Sequence, residues 1–538
     1  MTDWFEKITL GALIDQAADR FGTREALYYE GQRWSFAELK VAADRAAKGL
    51  MALGIQPGEK VSLWIPNRPE WLHLLFGVLK VGAVLVPINT RFRTADLEYV
   101  VRQSNSTTLI TVERSGPVRY FEMVQELCHT HPSVFPDLQR VILLSEERWE
   151  GALRWMDVLA MGEGIPEAEL AARERTMDPD GTALIMYTSG TTGFPKGVMN
   201  THNLVRNVTD EANRMGITSR DTILMYLPLF HAFGLYEGPL MSMLTGARMV
   251  LTTVFDPGEA LTLIAQEKAT VLHGFDTHFH DLMTHPNCAA TDRRSLRTGI
   301  LAAGMASSEA VARRAQQVLC TTVTGWGMTE VGVGATMSFL DSPEDDRCLG
   351  SGWPLPGYEC KVIDPGTGRS LPSGVPGELC TRGYAVMQGY YKKPEETAQA
   401  IDAEGWFHTG DMAIMREDGM IRFLGRYKEM LKVGGENVDP VEVEAFLLSH
   451  PAVNQAKVVG VPDARLSEVG TACVVLKAGA HASADALIEF CHGKLASFKI
   501  PRYVLFLKEY PMTSSGKVQK FRLREIAMDE LHLRETQT

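Results

Sequence analysis

An α/β fold in two domains is what this sequence predicts, and three observations predict it. Short β-rich runs alternate with helical patterns through residues 183–324. The pattern then changes near residue 350 to shorter strands punctuated by glycine and proline, and a fresh α+β series begins after Gly425. The first part reads as a large amino-terminal domain of α/β layers that carries a small β-rich subdomain. The last part reads as a smaller, separate α+β carboxy-terminal domain.

Compact apolar runs bounded by turn residues give the strands, and longer stretches with helical spacing of apolar residues give the helices. On this basis Ala183 to Tyr187 is a strand, Asn203 to Met215 a helix, Ile223 to Leu227 a strand, Gly258 to Glu267 a helix and Thr270 to Gly274 a strand. Gly299 to Ala302, a helix over Ser308 to Val318, and Thr321 to Thr324 continue the alternation. In the carboxy-terminal series, a helix near Val441 to Ser449 precedes strands near Asn454 to Val461 and Ala472 to Leu476, and a helix near Ala484 to Leu495 follows. No internal repeat appears, and the last dozen residues read as a charged, fraying tail.

Composition narrows the function. A chain of 538 residues, 45% hydrophobic and 22% charged, has ordinary globular make-up and room for a large core. With 54 basic and 66 acidic side chains the net charge is −12, and no lysine or arginine run stands out, so no nucleic-acid partner is expected. Small molecules are the expected partners. Eight cysteines are scattered without a Cys-x-x-Cys pair, which suits a reducing cytoplasm better than a disulfide framework or a zinc site; they read as buried apolar residues. The amino terminus carries Asp3 and Glu6, unlike the basic start of a signal peptide. The most apolar window, His73 to Ile88, is interrupted by Lys80 and is too short for a membrane span, so no integral membrane segment is expected.

The densest chemistry lies in residues 187–198, Tyr-Thr-Ser-Gly-Thr-Thr-Gly-Phe-Pro-Lys-Gly-Val, entered from an apolar strand. Gly190, Gly193 and Gly197 let the backbone approach an anion while its amides stay free to donate. Thr188, Ser189, Thr191 and Thr192 add hydroxyls, and Lys196 adds charge. A Walker loop would need Ser or Thr after the lysine, and here Gly197 follows Lys196, so this is a different phosphate loop.

This loop resembles, nearly letter for letter, the signature of the adenylate-forming superfamily of acyl-CoA synthetases, adenylation domains and firefly-type luciferases. The resemblance runs over about residues 10–525. It implies a domain of residues 1–427 that binds ATP and a mobile domain of residues 428–538, hinged at Lys428. Gly325-Trp326-Gly327-Met328-Thr329-Glu330 resembles the motif that gives a hydroxyl, here Thr329, to the α-phosphate and a carboxylate, here Glu330, to Mg²⁺; Gly327 and Met328 flank the nucleotide. Asp411, in His408-Thr409-Gly410-Asp411, falls to the ribose hydroxyls, which one carboxylate can accept together. Arg426 falls to the nucleotide, with Glu429 where many relatives have aspartate. Lys517, in a Ser-Ser-Gly-Lys run, is implied as the catalytic cation that bridges the acid and the α-phosphate during adenylation.

The resemblance also implies a two-step reaction: carboxylate attacks Mg·ATP, pyrophosphate leaves, and a thiol then displaces AMP. Lys432, Gly434 and Gly435, beside Glu436 and Asn437, would face the thiol step, and this run favours free coenzyme A over a carrier protein. His231 is implied as a gate at the acyl pocket. Phe230, Tyr236, Phe275 and Trp326, with the run Ala302-Ala303-Gly304-Met305, are the pocket candidates, and Met328 also borders it. Their apolar character points to a hydrophobic acid, and the run Leu301-Ala302-Ala303-Gly304-Met305 resembles the medium-chain branch more than the aromatic one, which implies a fatty acid of medium to long chain, with an alicyclic or aryl acid as the other choice. No acid other than Asp276 is placed to hold an amine. His273, Asp276, His278 and His280 could share one face of a strand as metal ligands; we read them instead as pocket wall. A stand-alone adenylation enzyme and an inactive acyl- or nucleotide-binding protein are the alternatives, and a homodimer is compatible with all three.

Overall fold

A computed structural model describes residues 6–130, 133–188, 195–302, 308–433, 436–463, 465–492, 494–495, 497–513 and 516–533. Two mostly parallel sheets dominate the first four hundred residues. The seven-stranded sheet holds, at one end of its order, the antiparallel pair Thr182–Thr188 and Lys196–Thr201; the eight-stranded sheet is built around Thr222–Met225, Arg248–Leu251 and Thr298–Ala302. The predicted β-rich subdomain is a four-stranded antiparallel sheet of Tyr358–Ile363, Gly377–Gly383, Phe407–Met415 and Ile421–Arg426. A five-stranded sheet follows, with Val453–Asp463 and Ser467–Leu476 as its longest pair.

Apolar burial divides along the same lines. One core runs from Leu10 to Ile421, and a second, built from Leu431 to Ala527, is separate from it. The apolar window His73 to Ile88 is the end of the helix Pro69–Lys80 and the strand Val84–Pro87, both inside the first core. Lys80 is 1% exposed and is held by Asp15 at 2.7 Å, Asp44 at 2.5 Å and Glu174 at 2.9 Å. Burial alone would lower its pKa, but Asp15 and Asp44 outweigh that and hold it above the usual lysine value. Among the described residues no helix is long and apolar enough to cross a membrane.

Several expectations need correction. The strand expected at Thr270 to Gly274 is broken into Val271–Leu272 and Gly274–Phe275, because buried His273 turns Nδ1 to the backbone N–H of Ile300. His278 and His280 lie on the helix Asp276–Thr284, so the shared strand face imagined for the histidine cluster does not exist. The helix from Ala484 stops at Cys491, where His492 takes extended backbone. All eight thiols are free, but Cys128 is exposed on the helix Tyr120–Thr130 and Cys360 is half-buried, so the reading of all eight as buried fails.

Candidate active site

The hairpin Thr182–Thr188 and Lys196–Thr201 builds the phosphate end. Thr188 and Lys196 pair across it, and the intervening Ser189, Gly190, Thr191 and Thr192 lie outside the described residues. Lys196 Nζ stands 4.5 Å over the ring of Tyr390, and the Tyr390 hydroxyl donates to Glu330 Oε1 at 3.1 Å. Tyr390 thus joins Lys196, expected at the phosphates, to Glu330, expected at the metal. Sequence reasoning missed it, because its position follows from Met199 and Gly197 receiving the segment Gly389–Tyr391 through backbone bonds.

Thr329 and Glu330 are fixed by backbone contacts: Asn200 Nδ2 donates to the Thr329 carbonyl at 3.0 Å, and Met387 N donates to the Glu330 carbonyl at 2.8 Å. Gly327 is irreplaceable here, since a Cβ would lie 1.7 Å from the Val333 carbonyl oxygen. Glu330 is 6% exposed, and burial raises its carboxyl pKa. A buried oxygen donor of this kind suits Mg²⁺, which takes few protein carboxylates and completes its shell with water and phosphate.

Asp411 is the residue expected at the ribose. Its Oδ2 accepts the Trp326 indole N–H at 2.9 Å, and Arg426 Nε lies 3.1 Å from Oδ1, the two residues being cross-strand partners. Burial raises the Asp411 pKa, and Arg426 opposes the rise. Trp326, a pocket candidate, therefore spends its polar edge on Asp411. Met328 is half-buried against the core beside it.

Lys517 reaches this cleft from the second core. Its Nζ stands 4.7 Å over the ring of Phe275, and solvent still reaches the side chain. Crowding by the cleft walls depresses the ammonium to about 8, Arg426 adding to the fall while Asp411 and Asp276 oppose it. The preceding Gly516 takes φ +83° and packs where a Cβ would meet the His278 ring at 2.4 Å. The Thr277 hydroxyl donates to the Gly516 carbonyl, and Arg91 Nη1 donates to the Met512 carbonyl, both at 2.7 Å. These two bonds seat the lysine loop on the larger body.

His231 caps the helix Ala232–Leu235, its Nδ1 accepting from Phe233 N at 3.3 Å. Burial, with the Lys517 charge adding to it, lowers its pKa to about 3, so the ring is neutral and Nε2 carries the proton. Phe230 is half-buried and Phe275 is packed edge-on against Phe233 at 5.3 Å. Tyr236 is fully buried, its hydroxyl on the Met186 sulfur at 3.3 Å. Ala302 ends the strand Thr298–Ala302, while Ala303, Gly304 and Met305 lie outside the described residues. Asp276 is committed locally, Oδ1 to Thr277 N and Oδ2 to the Ser308 hydroxyl.

An acid that sequence reasoning passed over is Glu237, next to Tyr236 in a π-helical turn, fully buried and beside Glu211. Burial raises the Glu237 carboxyl to about 7, and burial with the neighbouring Glu237 charge raises Glu211 as well. Lys432 sits in the strand Leu431–Val433, paired with Glu436–Val438; its side chain, Gly434 and Gly435 lie outside the described residues. A groove of about 370 Å³ behind the phosphate hairpin, bordered by Lys60, Met199 and Tyr391, touches none of the predicted site residues.

The family model described as AMP-binding enzyme matches residues 14–391, and that for the AMP-binding enzyme C-terminal domain matches residues 442–517. The chain belongs to the AMP-binding enzyme family. This AMP-binding enzyme is 40% identical to the "Putative acyl-CoA synthetase YngI" of Bacillus subtilis over 98% of its own length and 99% of that protein. It is 35% identical to the mitochondrial medium-chain acyl-CoA ligase ACSF2 of Mus musculus, with 98% and 88% covered. Among solved structures, the anthranilate CoA ligase AuaEII in complex with anthranoyl-AMP superposes with a TM-score of 0.84 at 26% identity, covering 99% of each chain. The family assignment places the chain in the acyl-CoA synthetase branch of the adenylate-forming superfamily, as an AMP-forming acyl-CoA ligase that adenylates an acid and then forms its coenzyme A thioester.

Proposed function

We propose that the acid is hydrophobic, fatty with medium to long chain or alicyclic or aryl, and that Lys517 carries the adenylation step. The observation that carries this reading is the placement of Lys517 Nζ over Phe275, with Asp411 and Arg426 close enough to perturb its charge. That position lets one ammonium face an acid held against an aromatic wall and a nucleotide held by its ribose. Apolar Phe230, Phe275 and Met328 support a hydrophobic acid, as do relatives named for medium-chain and anthranilate substrates. Thr188 to Thr192 with Lys196 would hold phosphate, Thr329 would donate to the α-phosphate, and Gly327 and Met328 would border the base. Glu330 would hold Mg²⁺, which supplies charge neutralisation on the phosphate oxygens. Neutral His231 would gate the acyl entrance.

The division into residues 1–427 and 428–538 belongs to the same proposal. Lys428 lies in the single turn Tyr427–Glu429 between the two apolar cores, where backbone rotation disturbs little packing. Rotation there would withdraw Lys517 and present Lys432, Gly434 and Gly435 to the pantetheine thiol. Free thiols throughout support a cytoplasmic setting.

The test is AMP and pyrophosphate release with Mg·ATP across short, medium, long, alicyclic, aromatic and amino acids, with and without coenzyme A. Coenzyme A-dependent AMP release with a hydrophobic acid is expected. If only amino acids turn over, buried Glu237 becomes the amine partner and the hydrophobic reading is wrong.

A further inference from the structure

In the β-rich subdomain three Lewis-basic side chains converge. Cys380 and His408 are directly opposed across the antiparallel strands Gly377–Gly383 and Phe407–Met415, and Glu378 stands two residues before Cys380. Residues at i and i+2 share a face of a strand, so all three point to the same side. Cys380 Sγ lies 3.6 Å from His408 Nδ1, and Glu378 Oε2 lies 3.3 Å from the same nitrogen. One ligand atom from each of the three falls within 4.8 Å of the other two.

The two separations from His408 Nδ1 match edges of a coordination polyhedron. With zinc bonds of about 2.3 Å to sulfur and about 2.0–2.2 Å to nitrogen and oxygen, a tetrahedron has S–N edges of about 3.6 Å and N–O edges of about 3.4 Å. The opposite face of the histidine is also provided for. Asp402 Oδ2 lies 3.5 Å from His408 Nε2, and Asp402 is itself anchored because Oδ1 accepts from Glu404 N and Trp406 N, both at 2.9 Å. A carboxylate on Nε2–H leaves the Nδ1 lone pair aimed between Cys380 and Glu378, the arrangement that orients metal-bound imidazoles.

The geometry points to a binding site for one thiophilic divalent cation of the zinc class, held by Cys380, His408 and Glu378, with Asp402 orienting the imidazole. Cys380 is fully buried while the His408 side chain is 31% exposed, so the fourth position opens to solvent and takes water. Lys361 and Arg382 stack on the adjoining Trp406 at 4.1 and 4.5 Å, and their charge moderates the affinity. The site is mechanically linked to the nucleotide end. Gly410 N donates to Glu378 Oε1 at 3.1 Å, and Asp411 is three residues beyond His408 on the same strand.

The test uses the full-length protein, stripped with a chelator and titrated with Co²⁺ as an optical stand-in for zinc. The expected result is a thiolate-to-cobalt charge-transfer band in the near ultraviolet that saturates at one equivalent and is displaced by Zn²⁺. Oxygen ligands such as Glu330 give no such band, so the Mg²⁺ site does not interfere. Cys380→Ser removes the band, His408→Gln weakens Zn²⁺ binding at least tenfold in equilibrium dialysis, and Cys128→Ser leaves both unchanged. Circular dichroism establishes that each variant is folded, and His408→Gln serves if Cys380→Ser is not. A wild-type titration without the band, or a band that survives Cys380→Ser, overturns the inference.

Discussion

The depressed charge of Lys517 makes the enzyme's response to pH a residue-scale matter. Its ammonium sits at about 8, below ordinary lysine, so the charged form proposed to act in adenylation is lost as pH rises through that value. Acid-dependent pyrophosphate exchange should fall above about pH 8, and Lys517→Arg should abolish that fall, whatever its absolute rate. Lys517→Ala should stop adenylation while sparing thioester formation from preformed acyl adenylate; equal loss of both half-reactions would remove the assigned role. A second prediction concerns Trp326. Replacing it with Phe leaves Asp411 Oδ2 without its 2.9 Å donor, and a hydrogen bond to a charged group is worth about 1.5–3 kcal/mol. The KM for ATP should rise on the order of tenfold or more with kcat less affected, which steady-state kinetics would check. Residue types in motifs announced Lys517, Glu330 and Asp411, whereas Trp326 on Asp411 and Tyr390 on Glu330 depend on bonds between segments far apart in sequence.

At the scale of elements, the loop carrying Lys517 is held by conformation as much as by contact. Gly516 occupies left-handed backbone against the His278 ring, and an alanine there pays the left-handed penalty of about 1–2 kcal/mol before any clash is relieved. Gly516→Ala should slow adenylation about tenfold and leave the thioester half-reaction nearly unchanged, because only the first step needs the loop seated on Thr277 and Arg91. Stopped-flow measurement of each half-reaction distinguishes this from general damage. Most elements were legible beforehand: the helix read at Gly258 to Glu267 is Pro257–Glu267, with Asp256 capping Glu259 N. The two misreadings around the pocket histidines share one cause. Near His273 and His278, ring nitrogens take backbone donors, Ile300 N and Phe275 N, and so end or begin elements in ways that apolar periodicity does not record.

For the whole molecule, the buried network at Lys80 is the feature most exposed to single substitution. Lys80→Met would remove the buried cation shared by Asp15, Asp44 and Glu174, leaving Lys40 on the two aspartates and Glu174 without its 2.9 Å partner, and breaking a buried pair costs up to about 3–5 kcal/mol. Urea unfolding should register that loss. Because the folded-state pKa of Lys80 is raised, its contribution is complete below the unfolded value and is lost only as pH rises through the folded one. The gap between wild type and variant should therefore persist undiminished up to about pH 10. The chemistry of this ligase was determined by the sequence itself: glycine, hydroxyl, lysine and carboxylate in ordered motifs identify phosphate and nucleotide handling, since local residue types suffice to make those contacts. Periodicity likewise determined the α/β layers and the later α+β series. Only the tertiary structure decided that Lys80 is an interior cation, that Glu237 is an acid beside the pocket candidates, and that Cys380, His408 and Glu378 meet across two strands. Those arrangements arise from long-range strand pairing and burial, which bring together residues whose separation along the chain carries no local signal.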